Sequence, residues 1–471
     1  MSNISDLLSS HAEHQPVLAA ARDLAAKEGL RLYLVGGYVR DLLLHRSSND
    51  IDLMVEGDGI AFARQLAAAL GSGPPVAYEQ FGTALIPLAQ IKLEVATARS
   101  ETYTASSRKP KVQAGTLQSD LARRDFTINT LAVILFGDED GHLLDLHGGV
   151  RDLQKGLLKT PLDPDLTFSD DPLRMLRAAR FAAQLDFAID QSCLDSISRQ
   201  TGRMEIVSWE RITDELLKML SADRPGIGLQ ILKQTGLLRM VFPELDVMSG
   251  IERVDGQGHK DVFLHTLQVV DNAAALSPKT ELRFAALVHD IAKPATKRFY
   301  PKQGWTFHHH EEVGRKMLRK VAKRMRLSND LRDYLMKLTK LHLRPIALAK
   351  EGITDSAVRR VMREAGEDVD DLMLLCRADV TTKQEARAAR YMGNFERVEA
   401  LMADVTLRDE MRRFQSPVRG AEIMAVCGLQ EGRRVGQLKS AIEEAILDGI
   451  IENDHAAALA YLQQIKDELP Q

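Results

Sequence analysis

At 471 residues the chain is longer than one hydrophobic core usually organises, and about three domains are expected. Its formal net charge of −4 excludes a uniformly basic nucleic-acid coat, though not a local basic groove. Three dispersed cysteines exclude a disulfide framework and suit a reducing, cytoplasmic setting; no signal-type or membrane-length apolar run is visible, so no membrane partner is expected.

Residues 1–30 read as an N-terminal amphipathic helix over 5–29, stopped by Gly29. Short strands are expected at 32–35, 51–55, 84–87, 91–96 and 143–146, and helices at 62–70 and 126–134. The stretch 102–116 is polar, basic and unperiodic, and reads as a flexible loop. Beyond Pro172 the pattern turns helical, with apolar residues at i, i+3 and i+4 over 172–186, 209–220, 225–236, 262–276, 281–293, 311–326, 330–343 and 370–379. A Pro/Gly break at 416–420 opens a last helical module. The fold class expected is α+β: a small mixed-sheet head at 31–158, a helical neck and body at 159–255, a helical domain at 256–385 and a helical tail at 386–471.

The densest chemistry lies in the head. Tyr33-Leu34-Val35 ends at Gly36-Gly37, and a helical segment with Arg40 follows. Glycines at a strand-to-helix turn let backbone N–H groups approach a phosphate, and Arg40 adds charge one turn later. The pattern is neither a dinucleotide fingerprint nor a P-loop, since no Gly-Lys-Ser/Thr follows. Asp50 and Asp52 are i and i+2 on a strand, so they share one face while Ile51 turns into the core. Such a pair repels unless a cation lies between, and hard Mg²⁺ prefers oxygen ligands. Glu94 alternates with Ile91, Leu93 and Val95, faces away from the core, and is a third carboxylate for the same ion.

Six motifs follow in order: GGYVRD at 36–41, NDIDL at 49–53, LARRDFTIN at 121–129, LLDLHGGVRDL at 143–153, DDPLRMLRAARFA at 170–182 and ERITDELLKML at 210–220. On these, residues 31–245 resemble the class II tRNA nucleotidyltransferase and bacterial poly(A) polymerase superfamily. The resemblance implies that Asp50 and Asp52, with Glu94, hold catalytic Mg²⁺. It places Gly36, Gly37 and Arg40 at the triphosphate, and Arg124, Asp125 and Asn129 near the nucleotide's ribose and phosphates.

Asp171 and Arg174 stand three apart on either side of Pro172, at a helix start, and so share a face. A carboxylate accepts and a guanidinium donates, which matches the amine-beside-nitrogen edge common to cytosine and adenine. Uracil and guanine present the reverse order. The resemblance implies this selecting role, with Arg177 and Arg180 in the same groove. The family usually has Glu-Asp where this chain has Asp170-Asp171. After the second strand the chain reads Gln80-Phe81-Gly82-Thr83-Ala84, without the basic-aromatic signature of the poly(A) branch. The implied reaction is addition of CMP and AMP, from CTP and ATP, to the tRNA 3′ end. An A-adding enzyme or a poly(A) polymerase using ATP only stays open.

A second constellation comprises His265, the pair His289-Asp290, His310, His342 and Asp379. A mixed nitrogen and oxygen set suits a transition metal better than Mg²⁺. The order H…HD…D resembles the HD phosphohydrolase superfamily, with His310 and His342 matching the extra histidines of two-metal members. This implies phosphoesterase chemistry with Ni²⁺, Mn²⁺ or Co²⁺. A stand-alone hydrolase whose head only binds RNA is the remaining alternative. The basic run 315–326 suits phosphate contact or simply a solvated face.

Overall fold

The structure, a computed structural model, describes residues 3–466 except 105–106, 255–256, 259–260, 350–352, 383, 414–415 and 448–449. The chain forms two compact units, Met1–Pro345 with Ala365–Tyr391, and Ile346–Glu364 with Met392–Gln471. The stretch Ile346–Glu364 thus belongs to the second unit, although the sequence pattern groups it with 256–385.

In the first unit the head is built on strands β1 (Arg31–Val35), β2 (Asp50–Glu56), β3 (Val76–Tyr78), β4 (Thr83–Pro87), β5 (Lys92–Thr97), β8 (Ala132–Ile134) and β9 (Leu143–Leu144). β6 (Arg99–Thr104) and β7 (Ser107–Ala114) form a separate hairpin. The sheet order is β3-β4-β5-β2-β1-β8-β9, with β2 and β5 parallel and the other pairs antiparallel. β2 is central, so alternate residues separate two environments. Ile51, Leu53 and Val55 enter one core with Leu34, Phe62, Leu66, Leu93 and Val95. Met54 enters a smaller cluster on the opposite face with Tyr33, Val35 and Leu121. That parity puts Asp50 and Asp52 on the second face, at the end of β2 beyond its apolar cover.

Helices α2 (Gln15–Glu28), α3 (Gly37–Leu43) and α4 (Gly59–Ala69) contribute to the first core. α2 ends where Gly29 takes a left-handed conformation at φ 65°. Asp58 caps α4 by accepting from the Ile60 and Ala61 N–H groups, each at 3.0 Å.

Three expectations are corrected. The single helix over 5–29 is α1 (Ser5–Ser9), a 3₁₀ turn (Ala12–His14) and α2, because Pro16 needs a first-turn position and restarts the helix. The helix over 126–134 is instead a 3₁₀ turn, Thr127–Asn129, followed by β8 against β1. A short apolar run fits a buried strand and a buried helix equally by period. The loop over 102–116 falls largely within the β6–β7 hairpin, whose register shifts between Thr102 and Thr104. Both strands are polar in sequence, so no alternation marks them.

The helical reading holds beyond Pro172. Trp209–Leu220 and Val262–Leu276 form as expected, and Leu173–Leu185, Pro225–Gln234, His310–Arg324, Asn329–Leu341 and Val369–Ala378 differ by a residue or two at their ends. Thr280–Val288 stops short of residue 293 and leaves His289 as its C-terminal cap. In the second unit Gly420–Cys427, Arg433–Leu447 and His455–Ile465 share a core of Ile423, Leu438, Ile442, Ala458 and Leu462. Among the described residues no helix is long and apolar enough to cross a membrane.

Candidate active site and histidine cluster

Gly36 sits at φ 76°, ψ −139°, a conformation that L side chains rarely adopt. A Cβ there would lie 2.8 Å from Arg124 Nη1 and 3.1 Å from Asp52 Oδ2. The glycine therefore lets the strand end lie directly against a cation and a carboxylate. Gly37 opens α3, and Arg40 on that helix is buried. Its guanidinium forks onto Asp41 at 2.8 and 2.9 Å and donates to Asn129 Oδ1 at 2.8 Å.

The parallel register of β2 and β5 sets Asp52 beside Glu94 and Asp50 beside Lys92. Lys92 Nζ donates to Asp50 Oδ1 at 2.8 Å. Burial raises the Asp52 carboxyl to about 7; Arg124 opposes the shift, and the Asp50 and Glu94 charges add to it. Asp50, Asp52 and Glu94 line one cavity with Arg124, and their oxygen donors suit a divalent cation.

A polar chain joins this end of the sheet to the helical segment. Asn129 Nδ2 donates to Asp125 Oδ1 at 2.9 Å, and Arg177 Nη2 lies 2.6 Å from Asp125 Oδ2. Arg177 Nη1 and Arg180 Nε lie 3.6 and 2.6 Å from the Glu215 carboxylate. Asp125 is buried, yet the Arg177 and Arg174 charges and the Asn129 amide hold its carboxyl well below the usual range. Phe181 lies beneath the guanidinium of Arg180 at 4.0 Å, with those of Arg40 and Arg177 at 5.2 and 5.3 Å.

Asp171 and Arg174 stand at the start of Leu173–Leu185. Asp171 Oδ2 accepts from Arg211 Nη2 at 2.9 Å, and its Oδ1 accepts from the Leu173 N–H at 3.2 Å. Arg174 donates to the Arg123 and Thr167 carbonyls at 2.6 and 3.4 Å. Both side chains are thus held by protein partners and both face the cavity.

That cavity is about 500 Å³, and Gly36, Gly37, Arg40, Asp50, Asp52, Glu94, Arg124, Asp125, Asn129, Asp171, Arg174, Arg177 and Arg180 all line it. Thr83, Arg99, Arg123, Phe181 and Arg211 also line it and escaped the sequence reading. A signal existed for Arg211, since it stands four residues before Glu215 in ERITDE on an amphipathic helix.

The second set also converges. His265 Nε2 lies 2.9 Å from Asp379 and 3.6 Å from Asp290, and His289 Nε2 lies 3.1 Å from Asp290 and 3.5 Å from Asp379. His310 and His342 Nε2 atoms lie 3.3 and 3.8 Å from Asp290, and 3.3 Å from each other. The Nδ1 atoms of His289, His310 and His342 meet the Ala286, Phe307 and Thr339 carbonyls at 2.7, 2.8 and 2.7 Å. A carbonyl only accepts, so each Nδ1 carries the proton and each neutral ring offers a bare Nε2. The buried Nε2 of His289 faces only the Asp290 and Asp379 carboxylates. These residues fit divalent metal ions, in two groups: His265, His289 and Asp379, and Asp290, His310 and His342. Without metal, burial opposes charge on His289, but the Asp290 and Asp379 carboxylates outweigh it and raise its pKa to about 10. Burial and the charge on His289 press His342 down to about 4.

On His310–Arg324, Lys316, Arg319, Lys320 and Lys323 are exposed, whereas Arg315 and Arg324 pair with Glu312 and Glu244 at 3.1 and 2.6 Å.

Comparison with known proteins places three domain families along the chain. Residues 32–159 match the poly A polymerase head domain, 186–248 the "Probable RNA and SrmB- binding site of polymerase A", and 262–383 the HD domain. The fold is similar to that of a CCA-adding enzyme in its apo form II, at 22% identity and TM-score 0.61, covering 98% of this chain and 99% of that one. A tRNA nucleotidyltransferase complexed with a primer tRNA and an incoming ATP analog is similar at 24% identity and TM-score 0.58, over 81% of this chain and 99% of that one. The Thermotoga maritima CCA-adding enzyme complexed with tRNA is similar at 22% identity and TM-score 0.57, over 98% of both chains. At these identities the likeness is one of fold. The head is a nucleotidyltransferase domain, followed by an HD domain.

Proposed function

We propose that this chain, with its poly A polymerase head and HD domain, is a tRNA nucleotidyltransferase that adds CMP and AMP, from CTP and ATP, to a tRNA 3′ end. The observation that carries the reading is one cavity that holds both the Asp50, Asp52 and Glu94 carboxylates and the Asp171 and Arg174 pair. The reaction joins the 3′ oxygen to the α-phosphate and releases pyrophosphate. Mg²⁺ held by Asp50 and Asp52, with Glu94 beside them, supplies Lewis acidity toward the hydroxyl and the α-phosphate when bound. The Gly36 N–H donates to the Leu131 carbonyl at 3.3 Å, so backbone contact with the triphosphate falls to Gly37 at the start of α3. Arg124, packed against Gly36 and Asp52, offsets charge where phosphate meets carboxylate. Arg40, fixed by Asp41 and Asn129, holds the start of α3 in place.

Asp171 and Arg174 select the base. Asp171 accepts from the exocyclic amine and Arg174 donates to the ring nitrogen, the order that C and A share. Each good bidentate pairing is worth about 1–3 kcal/mol of discrimination. Arg211 and the Arg123 carbonyl keep the two groups at a fixed separation, as selection by an amino-acid template requires. Arg177 and Arg180, braced by Asp125 and Glu215, complete the groove. Arg174→Ala is expected to lose incorporation of both nucleotides, read by single-nucleotide extension with CTP or ATP. Unchanged rate and unchanged selectivity against UTP and GTP would contradict the role. An A-adding enzyme or a poly(A) polymerase would share this cavity and use ATP alone.

The HD domain is proposed to hydrolyse phosphoesters with Ni²⁺, Mn²⁺ or Co²⁺ held by His265, His289, Asp290, His310, His342 and Asp379. The three backbone-anchored imidazoles favour this over inert packing. Release of product from 2′,3′-cyclic nucleotides should vanish in His289→Ala/Asp290→Ala; hydrolysis that survives the double replacement rules the site out. The reaction belongs in the cytoplasm, where nucleotides and tRNA meet and where free cysteines persist.

A further inference from the structure

Apart from the head carboxylates, three groups of side chains whose ligand atoms lie within 4.8 Å of one another occur among the described residues, and two of them form the HD cluster. The third, His11, Glu13 and His14, lies outside both sites described above. It sits on the 3₁₀ turn Ala12–His14 between α1 and α2. His11 directly precedes the turn, and its ring stacks on that of His14 with 5.5 Å between centroids, while the Glu13 carboxylate approaches both. Glu13 Oε1 lies 3.6 Å from His11 Nδ1 and 4.0 Å from His14 Nε2. Nitrogen and oxygen ligands about 2.0–2.1 Å from a tetrahedral Zn²⁺ stand roughly 3.3 Å apart. Glu13, whose side chain is 61% exposed, closes that difference by rotation, and the partly exposed His11 ring, stacked on His14 at 14° between planes, turns to bring its Nδ1 onto the same ion.

The independent observation is His14. It is 1% exposed, and its buried Nε2, on the side of Glu13, has no hydrogen-bond partner. Its Nδ1 lies 2.8 Å from the Tyr38 hydroxyl oxygen. A ring that donates its Nδ1 proton to Tyr38 presents a bare Nε2 lone pair, the form that binds a metal. A buried nitrogen without a partner is costly, and an ion at this point removes the cost. Two imidazoles and one carboxylate suit Zn²⁺ or Co²⁺ rather than Mg²⁺, which prefers oxygen.

We propose that His11, Glu13 and His14 bind a divalent transition-metal ion of the zinc class, with the solvent side of Glu13 leaving a fourth position for water. Tyr38 fixes the orientation of His14. It follows Gly37 on α3, so the ion fastens the turn between α1 and α2 to the helix that carries Gly37 and Arg40.

The test uses the full chain carrying His289→Ala/Asp290→Ala, in excess Mg²⁺, titrated with Zn²⁺ by calorimetry and with Co²⁺ by visible absorption. One equivalent should bind with the intense absorption of tetrahedral Co²⁺, and His11→Ala/Glu13→Gln should abolish it. Those two side chains are at least partly exposed, and their replacement keeps the His14–Tyr38 bond. A parallel arm compares the unmodified protein with His11→Ala/Glu13→Gln alone, where total Zn²⁺ should fall by one equivalent. Absence of Zn²⁺ binding in the first background, or stoichiometry that ignores the double replacement in the second, overturns the proposal.

Discussion

At the scale of residues, the site depends on groups whose properties come from their neighbours. Asp50 and Asp52 differ by two positions, yet Asp50 is neutralised at the edge by Lys92 while Asp52 is raised to about 7 by burial and crowding. The proton that Asp52 keeps competes with a metal ion. Mg²⁺ affinity and transfer rate should therefore fall as pH drops below about 7, approaching tenfold per unit. Metal-free stability runs the other way. The native state holds this proton more tightly than the unfolded chain, so the contribution is full below pH 3.8 and is lost as pH rises through about 7. Thermal melts with and without Mg²⁺ across pH 5–8 should show the metal's stabilisation growing with pH. A pH-independent effect of Mg²⁺, or the same trend in Asp52→Asn, would contradict this assignment. The pairing of Asp50 with Asp52 was legible from spacing alone. The difference between them was not, because it arises from Glu94 and Lys92 on another strand.

At the scale of elements, periodicity found the helices and missed the segments whose environment it cannot see. Trp209–Leu220 was legible because its apolar stripe is clean, and that same stripe fixes where Arg211 and Glu215 project. β8 was misread as helix because Phe126–Ile134 is buried on all sides. The β6–β7 hairpin was misread as a loop because polar strands carry no alternation. The resemblance implies that the polar stretch 102–116 switches addition from C to A, and the hairpin starts at Arg99, which lines the same cavity as Glu94. Replacing residues 101–112 with a two-residue turn should leave CMP addition near its original rate and cut AMP addition by about 10²-fold, the scale at which a misplaced reactant loses rate. Equal loss of both nucleotides would show that the hairpin serves binding in general and not the change from C to A.

At the scale of the whole molecule, the chain separates candidate metal ligands by type. The head gathers oxygen ligands at the end of a sheet, and the HD domain gathers imidazoles whose far nitrogens are fixed by backbone carbonyls. The order of motifs made both sites legible before any geometry. The bracing of Asp171 by Arg211 and the fixing of Arg174 by backbone carbonyls were not, because both depend on tertiary contacts. The division into units was only partly legible, since Ile346–Glu364 packs with residues far along the chain. The most direct measurement incubates the full chain with tRNA lacking its 3′ end and Mg²⁺, with CTP alone, ATP alone or both, and reads product length. The account predicts CC with CTP alone, CCA with both, and no extension by ATP alone. A long A tail with ATP alone, or AMP addition only to tRNA that already ends in CC, would contradict it.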